Sequence, residues 1–320
     1  MPVLLLGLKP GVLPEATVER IRSKIPAMEV VVTRDREEIM ELLGEIEIAA
    51  GDVPRDLLVV APKLRWFQQW AAGADWLQRH PGALDRDFVI TSTVGMHAHQ
   101  ISEQIFGYLL TFARQLHRAF EAQQQGEWRR PEREHLFELA GKTMLLIGVG
   151  AIGRQTARVA KVFGMRVLGI KRDPTVPVAD LDQVEGPEAL HTFLPVADVV
   201  VIAVPRTRET EGMIGGAELA LMKPSSYLIN IGRGGTVDEA ALLSALESGR
   251  LAGAALDVFE VEPLPENSPF WRLENVLITA HYAGVIANYD GRAAEIFLDN
   301  LERYLAGKPL RNVVDKVLGY

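Results

Sequence analysis

The sequence predicts an α/β protein built from two Rossmann-like, doubly wound parallel sheets, each in its own domain. Three observations carry this expectation. Short apolar runs alternate with amphipathic stretches from Val3 to about Ser92, and again from Met144 to Thr279. Such alternation gives a parallel sheet covered by helices. The chain has 320 residues, and at about 150 residues per domain that length suggests two. The second series opens on a strand, a glycine-rich turn and a helix, which is the first unit of a dinucleotide-binding sheet.

Composition narrows the function classes. With 48% hydrophobic and 24% charged residues, the chain reads as an ordinary globular protein. A net charge of −8 argues against a general nucleic-acid binder, although a local basic pocket for an anion remains compatible with it. There is no cysteine, which rules out disulfides, thiolate catalysis and Cys-based metal sites. The apolar N-terminal run lacks a basic leader region and is broken at Lys9-Pro10, so a first β-strand is expected there. The longest apolar stretch, Ala197–Val204, falls far short of the roughly 18 residues of a membrane span. A cytoplasmic protein with no membrane partner is therefore expected.

In the first series, Val3–Leu8, Glu29–Thr33, Glu47–Ala50 and Trp66–Trp70 read as strands, and Glu15–Ile25 and Arg36–Leu43 as helices. Met96–Gln125 reads as one long helical stretch, with Ile101, Ile105, Leu109, Phe112, Leu116 and Phe120 at helical spacing. Gly126–His135 follows as a loop. Six strands are expected in the second series: Met144–Gly148, Arg166–Ile170, Val199–Val204, Tyr227–Ile231, Gly253–Val258 and Asn275–Thr279. That is the strand count of a full dinucleotide-binding sheet. A last helix covers Ala287–Leu305.

The glycine turn is Gly148-Val149-Gly150-Ala151-Ile152-Gly153, at the end of the expected strand Met144–Gly148. Gly148 permits the tight turn, Gly150 lets backbone approach a pyrophosphate, and Gly153 lets helix and strand pack closely. The helix from Ala151 to Phe163 then points its free N–H groups at the phosphates. The next strand ends in Ile170-Lys171-Arg172-Asp173. An acidic residue in this place would bind a ribose diol, whereas Lys171 and Arg172 suit a 2′-phosphate. The expected cofactor is NADP in preference to NAD.

Three later segments put polar groups just past buried strands: Asn230–Glu239 with Arg233, Leu256–Pro265 with Glu262, and Thr279–Gly284 with His281. Ligands of open α/β sheets bind outside the carboxyl ends of the strands, where these groups could converge. Carbonyl reduction needs such a set. Histidine supplies a proton near neutral pH, a carboxylate beside it orients the ring, and a guanidinium grips a carboxylate or polarises a carbonyl. Other features read more plainly. His97, His99 and Glu103 suggest no metal, because neighbours two apart on a helix do not share a face. Trp66, Trp70 and Trp76 divide between core and pocket wall, and Arg114, Arg118, Arg129, Arg130 and Arg133 form a solvated or interface face.

On these motifs, together with Ala203–Thr210 and Gln69–Asp75, the sequence resembles the D-isomer-specific 2-hydroxyacid dehydrogenases over nearly its whole length. The resemblance implies that Arg233 binds the substrate's carboxylate and carbonyl oxygen, that Glu262 pairs with the histidine, and that His281 is the acid/base. It places substrate carboxylate on the backbone at Ala72 and Gly73. Around the dinucleotide it places Gly148, Gly150, Ala151, Ile152, Gly153, Lys171, Arg172, Val204, Pro205, Thr210, Ile231, Gly232, Arg233, Asp257, His281 and Gly284. It further implies a nucleotide domain (96–287) inserted into a substrate domain (1–95 plus 288–320), and a homodimer through the long helix and the loop holding Trp128. Lys171 stands where NAD-using members usually carry Asp. The substrate implied is a small 2-oxoacid such as glyoxylate or hydroxypyruvate. The alternatives are a phosphoglycerate dehydrogenase-like enzyme, which the basic second-strand end fits less well, and a dinucleotide-sensing corepressor on the same scaffold.

Overall fold

The structure, a computed structural model, describes residues 1–319. The chain divides into two units, Met1–Met96 with Ile286–Tyr320, and His97–Val285.

Unit 1 runs β1 (Val3–Gly7), α1 (Glu15–Lys24), β2 (Glu29–Val32), α2 (Arg36–Leu42), β3 (Ile46–Gly51), α3 (Arg55–Val60), β4 (Trp66–Gln69), α4 (Trp76–Arg79) and β5 (Val89–Thr91). All five strands are parallel, in the order β2-β1-β3-β4-β5. Side chains alternate between faces as a pleated strand requires. Leu4, Leu6 and Trp66 join one core layer, and Leu5 and Phe67 the other. Trp66, Trp70 and Trp76 are all buried. A buried polar network crosses the sheet. Trp66 Nε1 donates to Thr91 Oγ1 (2.7 Å), which donates to Gln68 Oε1 (2.7 Å). Asn300 Nδ2 donates to the same oxygen (3.2 Å).

Unit 2 contains α5 (Ala98–Ala113), α6 (Leu116–Gln124), β6 (Thr143–Ile147), α7 (Ala151–Val162), β7 (Arg166–Ile170), β8 (Gln183–Glu185), α8 (Leu190–Phe193), β9 (Val199–Ile202), α9 (Gly216–Leu221), β10 (Tyr227–Asn230), α10 (Glu239–Glu247), β11 (Gly253–Leu256) and β12 (Val276–Ile278). The last helix, α11 (Tyr289–Leu305), returns to unit 1 and buries Ala293, Phe297 and Leu301 there. The unit 2 sheet is parallel throughout, ordered β12-β11-β10-β9-β6-β7-β8. Strand order reverses between β6 and β9, so a ligand crevice forms at their carboxyl ends.

Each of the six strands expected in the second series is present, and β8 is added at the edge. Its three residues are mostly polar and incompletely buried, so no apolar run marks it. The expected helix over Met96–Gln125 is two helices. Gln115, with φ 55°, takes the left-handed conformation between them, and its side-chain amide caps the first by donating to the Phe112 carbonyl (3.0 Å). The apolar spacing runs on across the break, which hides it. Arg55–Val60 and Val89–Thr91, assigned to neither helix nor strand from the sequence, form α3 and β5.

Asp198 closes the amino edge of this sheet. Its carboxylate accepts from the Thr143 backbone N–H (2.8 Å) and from Lys223 Nζ (2.8 Å). Burial works against the charge, but Lys223 and the Thr143 N–H outweigh it and hold the carboxyl below its usual range. A depressed folded pKa stabilises the fold above the unfolded value near 3.8, and that contribution is lost as pH falls toward the folded value. Asp198→Asn is expected to cost about 1–3 kcal/mol at pH 7. Urea unfolding should show the gap between variant and parent shrinking as pH drops below 4.

Candidate active site

Because all strands of unit 2 run the same way, each segment that leaves a carboxyl end lies along one edge. The sequence-assigned residues of this unit fall there: the glycine turn after β6, Lys171 and Arg172 after β7, Val204, Pro205 and Thr210 after β9, Ile231, Gly232 and Arg233 after β10, Asp257 and Glu262 after β11, and His281 and Gly284 after β12.

The glycines show which positions need to lack a side chain. Gly148 has φ 100°, and a Cβ there would stand 2.7 Å from the Ala203 carbonyl oxygen. A Cβ on Gly153 would stand 2.3 Å from the Gly148 oxygen. Gly150 differs, because a Cβ there would meet nothing within 4 Å. The space beside Gly150, at the amino end of α7, is therefore open to a ligand, as a phosphate cradle requires. These residues fit a dinucleotide.

His281 and Glu262 meet directly, with Nδ1 and Oε2 2.8 Å apart. The other carboxylate oxygen of Glu262 accepts from the Phe259 backbone N–H (3.0 Å), which fixes the carboxylate in the loop. His281 has φ 51°, a left-handed conformation uncommon outside glycine. It is imposed from below. The His281 N–H donates to the Asp257 carbonyl (2.8 Å). The buried Asp257 carboxylate accepts from the Thr279 hydroxyl and from the N–H groups of Tyr282 (3.1 Å) and Ala283 (3.1 Å). Tyr108, on α5, bonds the same Thr279 hydroxyl, and its phenol is pushed up to about 12, chiefly by burial. Asp257 thus works inside the protein, with its oxygens engaged by the turn that carries the histidine.

Arg233 is braced at its backbone. Its carbonyl accepts from Asn230 Nδ2 (3.1 Å) and Thr236 Oγ1 (2.6 Å), both buried side chains, while its own Nη1 donates to the Gly232 carbonyl (2.8 Å). Thr210 likewise spends its hydroxyl on its own loop, donating to the Pro205 carbonyl (2.7 Å). The Gly284 carbonyl accepts from His97 Nδ1 (3.2 Å) and Gln100 Nε2 (3.2 Å), and burial pushes the His97 pKa down. At the end of β7, Lys171 Nζ donates to the Val176 carbonyl (3.3 Å). Asp173 turns onto Thr175, whose hydroxyl and N–H hold its pKa down. Ala72 and Gly73 lie in unit 1 after β4. There Gln69 Nε2 binds the Ala71 (3.0 Å) and Gly73 (2.9 Å) carbonyls, and Trp76 Nε1 holds Gln69 Oε1 (2.9 Å).

Some contributors were not singled out from the sequence. Glu239, at the start of α10, accepts from the Glu260 N–H (2.5 Å) and so ties down the Glu262 loop. Burial raises its pKa, with the charges of Glu260 and Glu262 adding to the shift. Arg208 acts with Arg172 on Glu209, helping to lower its pKa after the larger effects of Thr207 and backbone. Both guanidinium charges therefore act on the same carboxylate. An acidic residue next to a helix cap and a third basic residue after a strand were the available signals.

Two glycines make opposite tests. A Cβ on Gly234 would stand 1.9 Å from the Phe259 backbone carbon, so the Glu262 loop must move. Gly234→Ala is expected to lower stability by about 2–4 kcal/mol, whereas Gly150→Ala should stay within about 1 kcal/mol of the parent. Denaturant unfolding of the two variants checks both; equal losses would mean that the close approach of Gly234 is wrong.

Comparison with known proteins places this geometry. The D-isomer specific 2-hydroxyacid dehydrogenase NAD binding domain matches residues 106–283. A D-3-phosphoglycerate dehydrogenase of Methanocaldococcus jannaschii is 32% identical over 302 residues, which are 92% of this chain but only 57% of that protein's length. A glyoxylate reductase of Korarchaeum cryptofilum is 33% identical over 299 residues, covering 91% of this chain and 87% of the relative. The crystal structure of the NADPH-dependent glyoxylate/hydroxypyruvate reductase of Sinorhizobium meliloti, in complex with NADP and sulfate, superposes with a TM-score of 0.84 at 31% identity, covering 100% of both chains. The chain is a member of the D-isomer specific 2-hydroxyacid dehydrogenase family, an oxidoreductase with its NAD binding domain in unit 2.

Proposed function

We propose that the protein reduces small 2-oxoacids, glyoxylate, hydroxypyruvate or similar, to D-2-hydroxyacids, using NADPH in preference to NADH. The observation that carries this is the His281–Glu262 pair, 2.8 Å apart, on the strand edge that also bears the glycine turn and Arg233. When bound, the dinucleotide supplies the hydride. Reduction at carbon leaves negative charge on oxygen, and His281 gives that oxygen a proton. Glu262 holds Nδ1, which leaves the other ring nitrogen for the substrate. Arg233 pairs its planar fork with the substrate carboxylate and polarises the carbonyl. The family resemblance assigns the backbone at Ala72 and Gly73, in unit 1, to the substrate carboxylate as well.

In this reading unit 1 is the substrate domain and unit 2 the nucleotide domain. Lys171 and Arg172, joined by Arg208, take the 2′-phosphate. The NADPH dependence of the Sinorhizobium meliloti reductase supports that assignment. A homodimer through α6 and the loop after it is supported by Phe120 and Trp128, which stand 63% and 92% exposed there. Among the described residues no helix is long and apolar enough to cross a membrane, compatible with a cytoplasmic enzyme.

The test is a panel of 2-oxoacids assayed with NADPH and NADH in parallel. His281→Ala should lower kcat by about 10²-fold or more, the scale of acid–base catalysis. Arg233→Lys should fail to restore normal kcat/KM, because an ammonium cannot make the two-point contact. A His281→Ala enzyme of near-parental kcat would remove this histidine from the chemistry.

Cofactor choice gives an independent measurement. One charge-assisted hydrogen bond to a 2′-phosphate corresponds to a preference for NADPH of about tenfold or more in kcat/KM. That preference should shrink as salt rises and reverse when Lys171→Asp is combined with Arg172→Ala. Equal use of both cofactors by the parent enzyme would assign the ribose to Asp173 or to the backbone instead.

A further inference from the structure

Unit 1 holds a cavity of about 410 Å³ that the chemistry above does not use. Leu8 lines it just past β1, and Gly51 and Asp52 line it at the end of β3. The order β2-β1-β3-β4-β5 reverses between these two strands. The cavity therefore sits at the switch point of this sheet, outside the carboxyl ends, where open α/β sheets bind ligands. Its size is within the ordinary range of small-molecule sites.

Three cations line it, Lys9, Arg34 and Arg55, against two carboxylates, Asp52 and Asp290. Arg34 pairs with Asp52. Arg55 has no carboxylate partner among the described residues. Its Nη1 donates to the Val53 carbonyl (2.7 Å), and its guanidinium lies over the rings of Phe67 (4.8 Å) and Trp76 (5.4 Å). Burial pushes its pKa down to about 10, so it stays charged at neutral pH. Trp70 also lines the cavity, is 7% exposed, and its buried indole N–H has no acceptor among the described residues. A buried donor left without an acceptor is costly, and native structures rarely keep one without a reason. Ala71 is a further lining residue. It directly precedes Ala72 and Gly73, the backbone already assigned to the 2-oxo carboxylate, so these donors remain for the other end of the substrate.

We propose that this cavity is a subsite for a second carboxylate, so that 2-oxo dicarboxylic acids are used in preference to 2-oxoacids with an apolar tail. The proposal rests on the 2-oxoacid reductase reading. Arg55 offers a forked donor of the geometry that carboxylates accept. The surplus of one positive charge matches a carboxylate. A phosphate, close to a dianion at neutral pH, would leave charge unbalanced beside Asp52 and Asp290.

The decisive comparison is 2-oxoglutarate against 2-oxopentanoate, which share a chain length and differ in the distal group. With NADPH, the parent enzyme should favour 2-oxoglutarate in kcat/KM by about tenfold or more, the scale of one charge-assisted hydrogen bond. Arg55→Gln should cut that ratio about tenfold. Because Arg55 also packs on two rings, Lys9→Gln at an exposed position is measured beside it, with an expected loss of about two- to fivefold in the same ratio. Equal use of the two acids, a ratio that survives both substitutions, or faster turnover of 3-phosphohydroxypyruvate than of 2-oxoglutarate would overturn the proposal. Calorimetric titration with succinate and with butyrate separates the subsite from the reaction. Succinate should bind the parent protein and lose affinity in Arg55→Gln, with butyrate weak in both. If no 2-oxoacid is turned over, the reductase reading fails, and the subsite still stands or falls on the succinate titration.

Discussion

A buried carboxylate organises the strand edge that carries His281 and Glu262. Asp257 leaves β11 and accepts from three donors, the Thr279 hydroxyl and the N–H groups of Tyr282 and Ala283. Its own carbonyl takes the His281 N–H. A charge placed away from water persists only where several donors surround it. The segment after β12 supplies those donors by folding over Asp257, and that fold puts His281 into its left-handed conformation facing Glu262. The ring's position is therefore a consequence of satisfying a carboxylate one strand away. Tyr108 extends the arrangement to α5 through the shared Thr279 hydroxyl.

Around this centre the edge is assembled by close backbone contact. Gly148 lies against Ala203, Gly153 against Gly148, Gly232 against Val204, and Gly234 against Phe259. In each case a methyl group would collide with main-chain atoms, which cannot rotate away as a side-chain end can. Neighbouring strand ends consequently approach more closely than side chains would permit, and the loops they carry are held relative to one another by the sheet itself. Gly150 is the exception, open where its neighbours are crowded. Steric contact does not explain its lack of a side chain, whereas a ligand does.

Much of this was legible in the sequence. Both parallel sheets followed from alternation of apolar runs with amphipathic stretches; that Glu262 and His281 could converge was anticipated because each follows a buried strand of one parallel sheet, and their pairing was implied by the family resemblance. What escaped depended on contacts distant in sequence, or on signals weaker than periodicity. The break at Gln115 has no proline or glycine to announce it, and the apolar spacing from Phe112 to Leu116 runs across it undisturbed. β8 lacks an apolar run because an edge strand need not be buried on both faces. Asn230 and Thr236 read as ordinary residues beside a strand end, and their hold on the Arg233 carbonyl emerges only once the turn closes.

Unit 1 is made from both ends of the described chain, and this has a consequence during synthesis. Trp66 stacks on Phe297 of α11 with ring centroids 5.2 Å apart, and Asn300 of the same helix satisfies the buried Gln68 amide oxygen. A ribosome emits the sheet long before that helix. The tryptophan and the helix that covers it are separated by about 230 residues, which at roughly 5–20 residues per second takes about 10–50 s. Throughout that interval an aromatic sheet face waits uncovered while the whole of unit 2 emerges and folds. The nascent chain therefore presents this apolar face until α11 emerges to cover it.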